Sequence, residues 1–109
     1  MRIALLSVGM TIASAASALA GETVQVKISD LAFSPVEITA KVGDIIRWVN
    51  GDFVDHTATA KDGEWDVMIE AEKQGELPLT RAGTIDYFCR FHPGMTGKIT
   101  VNSVSPKSP

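Results

Sequence analysis

Three residue types that bind soft metal ions stand together near the end of this chain, in Cys89-Arg90-Phe91-His92-Pro93-Gly94-Met95. Cys89 is the only cysteine, and His92 and Met95 follow it at intervals of three positions. A thiolate, an imidazole and a thioether suit copper better than hard cations. Two His, one Cys and a weak axial Met make a blue-copper set. One further histidine completes it, and His56 is the only other histidine in the chain. The candidate site is therefore His56, Cys89, His92 and Met95, around one copper ion cycling between copper(I) and copper(II). Each residue also has a plainer reading. His56 could be a loop histidine bonded to Asp55, Cys89 a small buried hydrophobe, and Met95 core packing. Met68 reads as packing, beside the site.

These ligands need elements that hold them. Thr84-Ile85-Asp86-Tyr87-Phe88-Cys89 is rich in β-formers and predicts a strand. Pro93-Gly94 predicts a turn, and Thr96-Gly97-Lys98-Ile99-Thr100-Val101 a second strand. Three ligands then share one tight loop whose scaffold resists relaxation, which suits an electron carrier because the two copper states prefer different geometries. Alternation from Cys89 sends Tyr87 and Ile85 toward a core and Asp86 and Phe88 away from it. Phe88 is then either packing or a lateral contact surface.

Upstream, Val24, Val26 and Ile28 alternate with Thr23, Gln25 and Lys27, and Val36, Ile38 and Ala40 alternate with Glu37, Thr39 and Lys41. Val42-Gly43-Asp44 marks a turn before the strand Ile45-Ile46-Arg47-Trp48-Val49, which Asn50-Gly51-Asp52 closes. Thr57-Ala58-Thr59-Ala60 is a weaker strand. Residues 65–73 are ambiguous, with a helical turn possible over Glu70-Ala71-Glu72-Lys73-Gln74. Pro78 between Leu77 and Leu79 predicts an edge strand. Short strands between turns imply an all-β sandwich.

Cys-x-x-His-x-x-Met, an upstream histidine, Lys41-Val42-Gly43-Asp44, Ala82-Gly83-Thr84-Ile85-Asp86-Tyr87 and Met95-Thr96-Gly97-Lys98-Ile99 together resemble the cupredoxins, or type 1 blue copper proteins. The short ligand loop is similar to that of the plastocyanin- and amicyanin-like group, and the resemblance covers residues 23–101. It implies a Greek-key β-sandwich of about 7–8 strands and single-electron transfer. It also implies an apolar docking patch around His92, with Phe91, Pro93 and Gly94, extended by Phe53 and Val54. Plastocyanin-like proteins usually carry Pro-His-Asn at the upstream ligand, whereas this chain has Asp55-His56-Thr57. The Thr57 hydroxyl is the candidate substitute for the missing Asn, which ties the two ligand segments together. Asp55 and Arg90 add opposite charges close to the site.

The first residues read as a targeting segment, with Arg2 as a positive start, an apolar run to Ile12 and an A-x-A-like end at Ala18-Leu19-Ala20. Residues 1–20 are then a cleaved signal peptide, 21–101 a cupredoxin domain and 102–109 a flexible tail rich in Ser and Pro. Cleavage removes Arg2 and takes the formal charge from −3 to −4. That mild acidity, without any basic run, argues against a nucleic-acid partner. A lone thiol in an oxidising compartment is a liability unless a metal occupies it.

The expected protein is a periplasmic blue copper electron carrier, not an enzyme. It is monomeric, has no membrane span after cleavage, and works with a periplasmic dehydrogenase or c-type cytochrome. A periplasmic copper carrier or resistance protein is the rival. A structural zinc module is a second rival, disfavoured because such sites recruit more thiolates.

Overall fold

Strict alternation of apolar and polar residues builds most of this molecule. In β1 (Thr23–Ser29), Val26 and Ile28 are fully buried while Gln25 and Lys27 face solvent. The same period recurs in β3 (Glu37–Lys41), through Ile38 and Ala40, and in β4 (Ile45–Asn50), through Ile46, Trp48 and Asn50. The remaining strands are β2 (Ala32–Ser34), β5 (His56–Ala60), β6 (Asp66–Ile69), β7 (Gln74–Pro78), β8 (Gly83–Cys89) and β9 (His92–Asn102). The computed structural model describes residues 21–104. The expected targeting segment, residues 1–20, lies outside these, as do residues 105–109 of the expected tail. No helix is present among the described residues, so none is long and apolar enough to cross a membrane.

The nine strands form two sheets, in the orders β2-β1-β4-β7 and β3-β9-β8-β5-β6. Both are mixed: β1 runs parallel to β4 and β3 parallel to β9, and the other neighbours are antiparallel. The chain changes sheet between β2 and β3, β3 and β4, β4 and β5, β6 and β7, and β7 and β8. The all-β two-sheet reading holds, with nine strands rather than 7–8. The three-residue β2 accounts for part of the excess, because so short a run carries no period of its own. β7 lies at a sheet edge with Pro78 in its last paired position, as its missing N–H requires.

The core fills the space between the sheets. Tyr87 stands at its centre, with ring centroids 4.7 Å from Phe33, 5.6 Å from Trp48 and 5.8 Å from Trp65. Trp48 Nε1 donates to the Tyr87 hydroxyl at 3.2 Å, giving two buried polar atoms a partner. Gly97 pairs with Tyr87 across β8 and β9, and a Cβ there would stand 2.5 Å from Tyr87 Cζ. Only glycine lets the ring lie against that backbone.

Three expectations are corrected. Residues 70–73 form a turn rather than a helix, and Gln74 opens β7: Lys73 N–H donates to the Glu70 carbonyl, and Glu72 takes a left-handed φ of 62°. The loop between β8 and β9 turns at Arg90-Phe91, not at Pro93-Gly94. Pro93 and Gly94 fall inside β9, where the pairing jumps from Phe88↔Thr96 to Cys89↔His92. Pro93, Gly94 and Met95 therefore bulge out of register. Finally, Asn102, assigned to the tail, closes β9 and pairs with Lys41.

Candidate metal centre

The site lies where β5 begins, β8 ends and β9 begins. Tyr87 pairs with Ala60, so the face of β8 carrying Tyr87 and Cys89 is also the face of β5 carrying Ala60, Ala58 and His56. That face looks into the sandwich, and Cys89 and His56 are both fully buried. His92, first residue of β9, is half-buried. The bulge turns Met95 inward, where it is 5% exposed and joins the core.

Cys89 Sγ lies 3.7 Å from His56 Nδ1 and 3.7 Å from His92 Nδ1. One ligand atom from each of these three residues falls within 4.8 Å of the others. A first-row ion at about 2.3 Å from sulfur and 2.0–2.1 Å from nitrogen would hold the two donors about 3.5–3.8 Å apart at tetrahedral to trigonal angles. The observed separations fit that range, and one thiolate with two imidazoles fits copper. The structure thus brings His56, Cys89 and His92 into one donor group, with Met95 buried at the base of the same loop.

The orientation of His56 has an identifiable cause. Its Nε2 lies 2.8 Å from Asp52 Oδ2. The same carboxylate accepts the N–H groups of Asp30 at 2.8 Å and Leu31 at 3.0 Å. Burial opposes ionisation of Asp52, but the Leu31 N–H, the His56 imidazole and the Asp30 N–H together hold its pKa below the ordinary carboxylate value. An ionised carboxylate only accepts, so Nε2 carries the ring proton and Nδ1 presents its lone pair toward Cys89. The plainer alternative for His56, a loop histidine bonded to Asp55, does not hold, because the ring is buried and bonds Asp52. Asp55 is exposed and accepts the Ala71 N–H at 2.9 Å instead.

The thiolate has its own support. Thr57 N–H donates to Cys89 Sγ at 3.4 Å, and the Thr57 hydroxyl accepts the Arg90 N–H at 2.8 Å. Thr57 therefore does tie the two ligand segments, through its backbone and its hydroxyl. Arg90 does not reach over the thiolate; its guanidinium binds Asp66 through Nε at 3.1 Å and Nη2 at 3.2 Å. Phe88 is half-buried on the outer face, opposite Thr59 and Thr96. Met68 is 47% exposed, which removes it from the donor group. Phe53 at 84% exposure, Val54 and Phe91 stand exposed in the two loops that precede the histidines.

Sequence reasoning missed Asp52, Thr59 and Asp66. Asp52 was hidden inside a turn signal, Asn50-Gly51-Asp52. Thr57 and Thr59 do carry a signal, since the period of two sets both hydroxyls on one face.

Fold and donor set define a blue copper protein, and comparison with known chains places it. Residues 2–101 match the family described as the cupredoxin-like domain, so the chain belongs to the cupredoxins. Within that family it is amicyanin-like. It is 32% identical over 96 residues to amicyanin of Paracoccus versutus, covering 80% of this chain and 70% of that one. It is 34% identical over 111 residues to amicyanin-alpha of Methylorubrum extorquens, covering 90% and 92%. The crystal structure of Paracoccus versutus amicyanin superposes with a TM-score of 0.65 at 34% identity, over 73% of this chain and 81% of that one. His56, Cys89 and His92 form a possible copper site in a blue copper electron-transfer protein.

Proposed function

We propose that this protein is an exported, periplasmic single-electron carrier that passes electrons between a dehydrogenase and a c-type cytochrome. The observation that carries this reading is the convergence of three soft donors from two fully buried residues and one half-buried residue. Bound copper supplies a one-electron couple there. His56, Cys89 and His92 would hold it as the strong ligands, with Met95 as the weak axial one. Residues 1–20 are removed on export, and residues 21–101 act as the carrier domain, a monomer.

The surrounding residues divide the labour. Asp52 fixes the His56 ring, and Thr57 donates to the thiolate and pins the next peptide. His92 is the member of the set that solvent can reach, and it follows exposed Phe91. An electron therefore enters and leaves through the His92 edge, against a partner that docks on the apolar rim. The chain carries electrons and performs no catalysis of its own.

The test begins with colour. Copper(II) added to the purified protein should produce an intense visible charge-transfer band, and Cys89→Ser should abolish it while the fold persists. Stopped-flow mixing of the reduced protein with a c-type cytochrome should then show electron transfer. A colourless complex, or a redox-silent one that surrenders copper rapidly to chelators, would favour copper delivery instead.

A further inference from the structure

The strands that present the donor atoms inward carry a second polar arrangement on their outer face. Thr57 and Thr59 alternate with His56, Ala58 and Ala60, so their hydroxyls point away from the ligand face. Thr59 pairs with Asp66 on β6 and with Phe88 on β8. Thr57 Oγ1 lies 2.9 Å from Thr59 Oγ1, and Thr59 Oγ1 donates to Asp66 Oδ1 at 2.6 Å.

The direction of every bond follows by elimination. The Thr59 hydroxyl, then the Arg90 guanidinium, hold the Asp66 carboxyl below its ordinary range against burial. The carboxylate only accepts, so Thr59 spends its single proton on Asp66. Thr57 must then donate to Thr59, which leaves a Thr57 lone pair for the Arg90 N–H. The guanidinium of Arg90 returns to Asp66, closing a ring: Arg90 peptide, Thr57, Thr59, Asp66, Arg90 side chain. Thr57 is fully buried, so water cannot replace a lost partner. Threonine has more than one accessible rotamer, and this polarity selects the one that accepts from Arg90.

We propose that Thr59 and Asp66 are positioning residues for the copper site. They touch no donor atom. They act by orienting Thr57, whose N–H meets the Cys89 sulfur and whose hydroxyl holds the peptide after Cys89. The ring clamps Arg90, the first residue of the Arg90-Phe91 turn, by main chain and side chain together. The missing Asn of the plastocyanin-like pattern is thus replaced by a relay of four residues that ends on an exposed carboxylate. This rests on the copper reading above for its spectroscopic arm only.

The test uses the full chain with three substitutions. Thr59→Val keeps the branched shape and removes the hydroxyl, Thr59→Ser keeps the hydroxyl, and Asp66→Ala removes the terminal acceptor at a half-exposed site. Without copper, exchange of the Arg90 amide proton is followed by NMR. With copper(II), the charge-transfer band, the EPR hyperfine splitting and the reduction potential are recorded. Thr59→Val and Asp66→Ala should each speed Arg90 exchange about fivefold, the effect of one net hydrogen bond. They should also shift the band and the splitting, and Asp66→Ala should raise the potential because it leaves Arg90 uncompensated. Thr59→Ser should match the wild type. If Thr59→Val melts earlier but keeps wild-type Arg90 exchange, band and potential, the relay is structural only and the proposal falls. Should Thr59→Val fail to fold, Asp66→Ala decides alone by the same readouts. A wild-type protein without a blue band defeats the copper reading, while Arg90 exchange still decides the relay.

Discussion

Asp44 is the residue whose removal should destabilise this protein without touching the copper site. It closes the turn between β3 and β4 and is 3% exposed. One carboxylate oxygen accepts the Glu22 N–H at 2.9 Å, and the other accepts the Lys41 N–H at 2.9 Å. The Asp44 carbonyl accepts the Leu79 N–H at 2.8 Å. One residue thus ties the entry to β1, the end of β3 and the exit of β7. Lys41 pairs with Asn102 at the far end of β9 from His92, so this knot lies at the end of the sandwich opposite the ligands. Hydrogen bonds to charged groups contribute about 1.5–3 kcal/mol each. Both are partly buried, so the low end applies, and Asp44→Ala should cost about 3 kcal/mol. For a domain of this size that lowers Tm by about 12–24 °C. The Glu22 N–H, against burial, together with the Lys41 N–H and ammonium, lowers the Asp44 pKa from 3.8. The folded value lies below the unfolded one. Its stabilisation is therefore complete above about pH 4 and is lost as pH falls through the folded value. Asp44→Asn should flatten the acid limb of the stability profile, though not abolish it, since Asp52 and Asp66 are depressed too. The assay is urea unfolding of the copper-free protein, followed by tryptophan fluorescence from neutral pH to pH 3. A loss below about 0.5 kcal/mol in Asp44→Ala would place it with ordinary surface changes and refute the reasoning. An unchanged acid slope in Asp44→Asn would refute the linkage.

Burial, against the Trp48 hydrogen bond, pushes the Tyr87 pKa up to about 12 from 10.0. Its stabilisation is full below pH 10 and is lost as pH rises toward 12, up to about 3 kcal/mol. Tyr87 is the only tyrosine in the chain, so tyrosinate absorbance reports it directly; ionisation near pH 10 in the folded protein would contradict this. Asp52→Asn should raise the reduction potential, because a neutral partner makes His56 a poorer donor to copper(II). An unchanged voltammogram would sever Asp52 from the site. Met95→Leu should keep copper and colour and raise the potential, since losing a donor and drying the site both disfavour copper(II). Complete loss of copper would make Met95 a strong ligand instead.

The pairing of Cys89 with His92 was legible because its chemistry is local: a spacing of three across a tight turn brings their donor atoms to 3.7 Å. The strands with clean alternation, β1, β3 and β4, were legible for the same reason. β5 read as weak because all five of its residues are buried, so no exposed partner marks the period. β6 hid in residues 65–73, where Asp66 and Met68 face outward and only Ile69 is fully buried. Pro93-Gly94 misled because a turn signal and a bulge signal use the same residues. The partner of His56 was out of reach for a different reason. Asp52 and Asp55 flank one loop, and only the docking of Leu31 and Asp30 on one side and Ala71 on the other decides which carboxylate meets the imidazole.

The period of the strand ties these features to function. Because side chains alternate, β5 presents His56 inward and Thr57 outward in consecutive positions, and β8 delivers Cys89 inward with Arg90 following outward. Thr57, which braces the Cys89 sulfur, thus follows directly on the donor His56, so Cys89 cannot move without straining a residue joined to a second donor. Electron transfer needs that stiffness, since any rearrangement between the two oxidation states slows the exchange. It also needs one place where the barrier to a partner is thin. Rigidity is concentrated at His56, held by Asp52, and at Cys89, held by Thr57. His92 emerges from the Arg90-Phe91 turn half-buried, within 3.7 Å of the same sulfur. In the proposed carrier, access at His92, the half-buried histidine, rather than at one enclosed within the sandwich, lets the rest of the set stay dry.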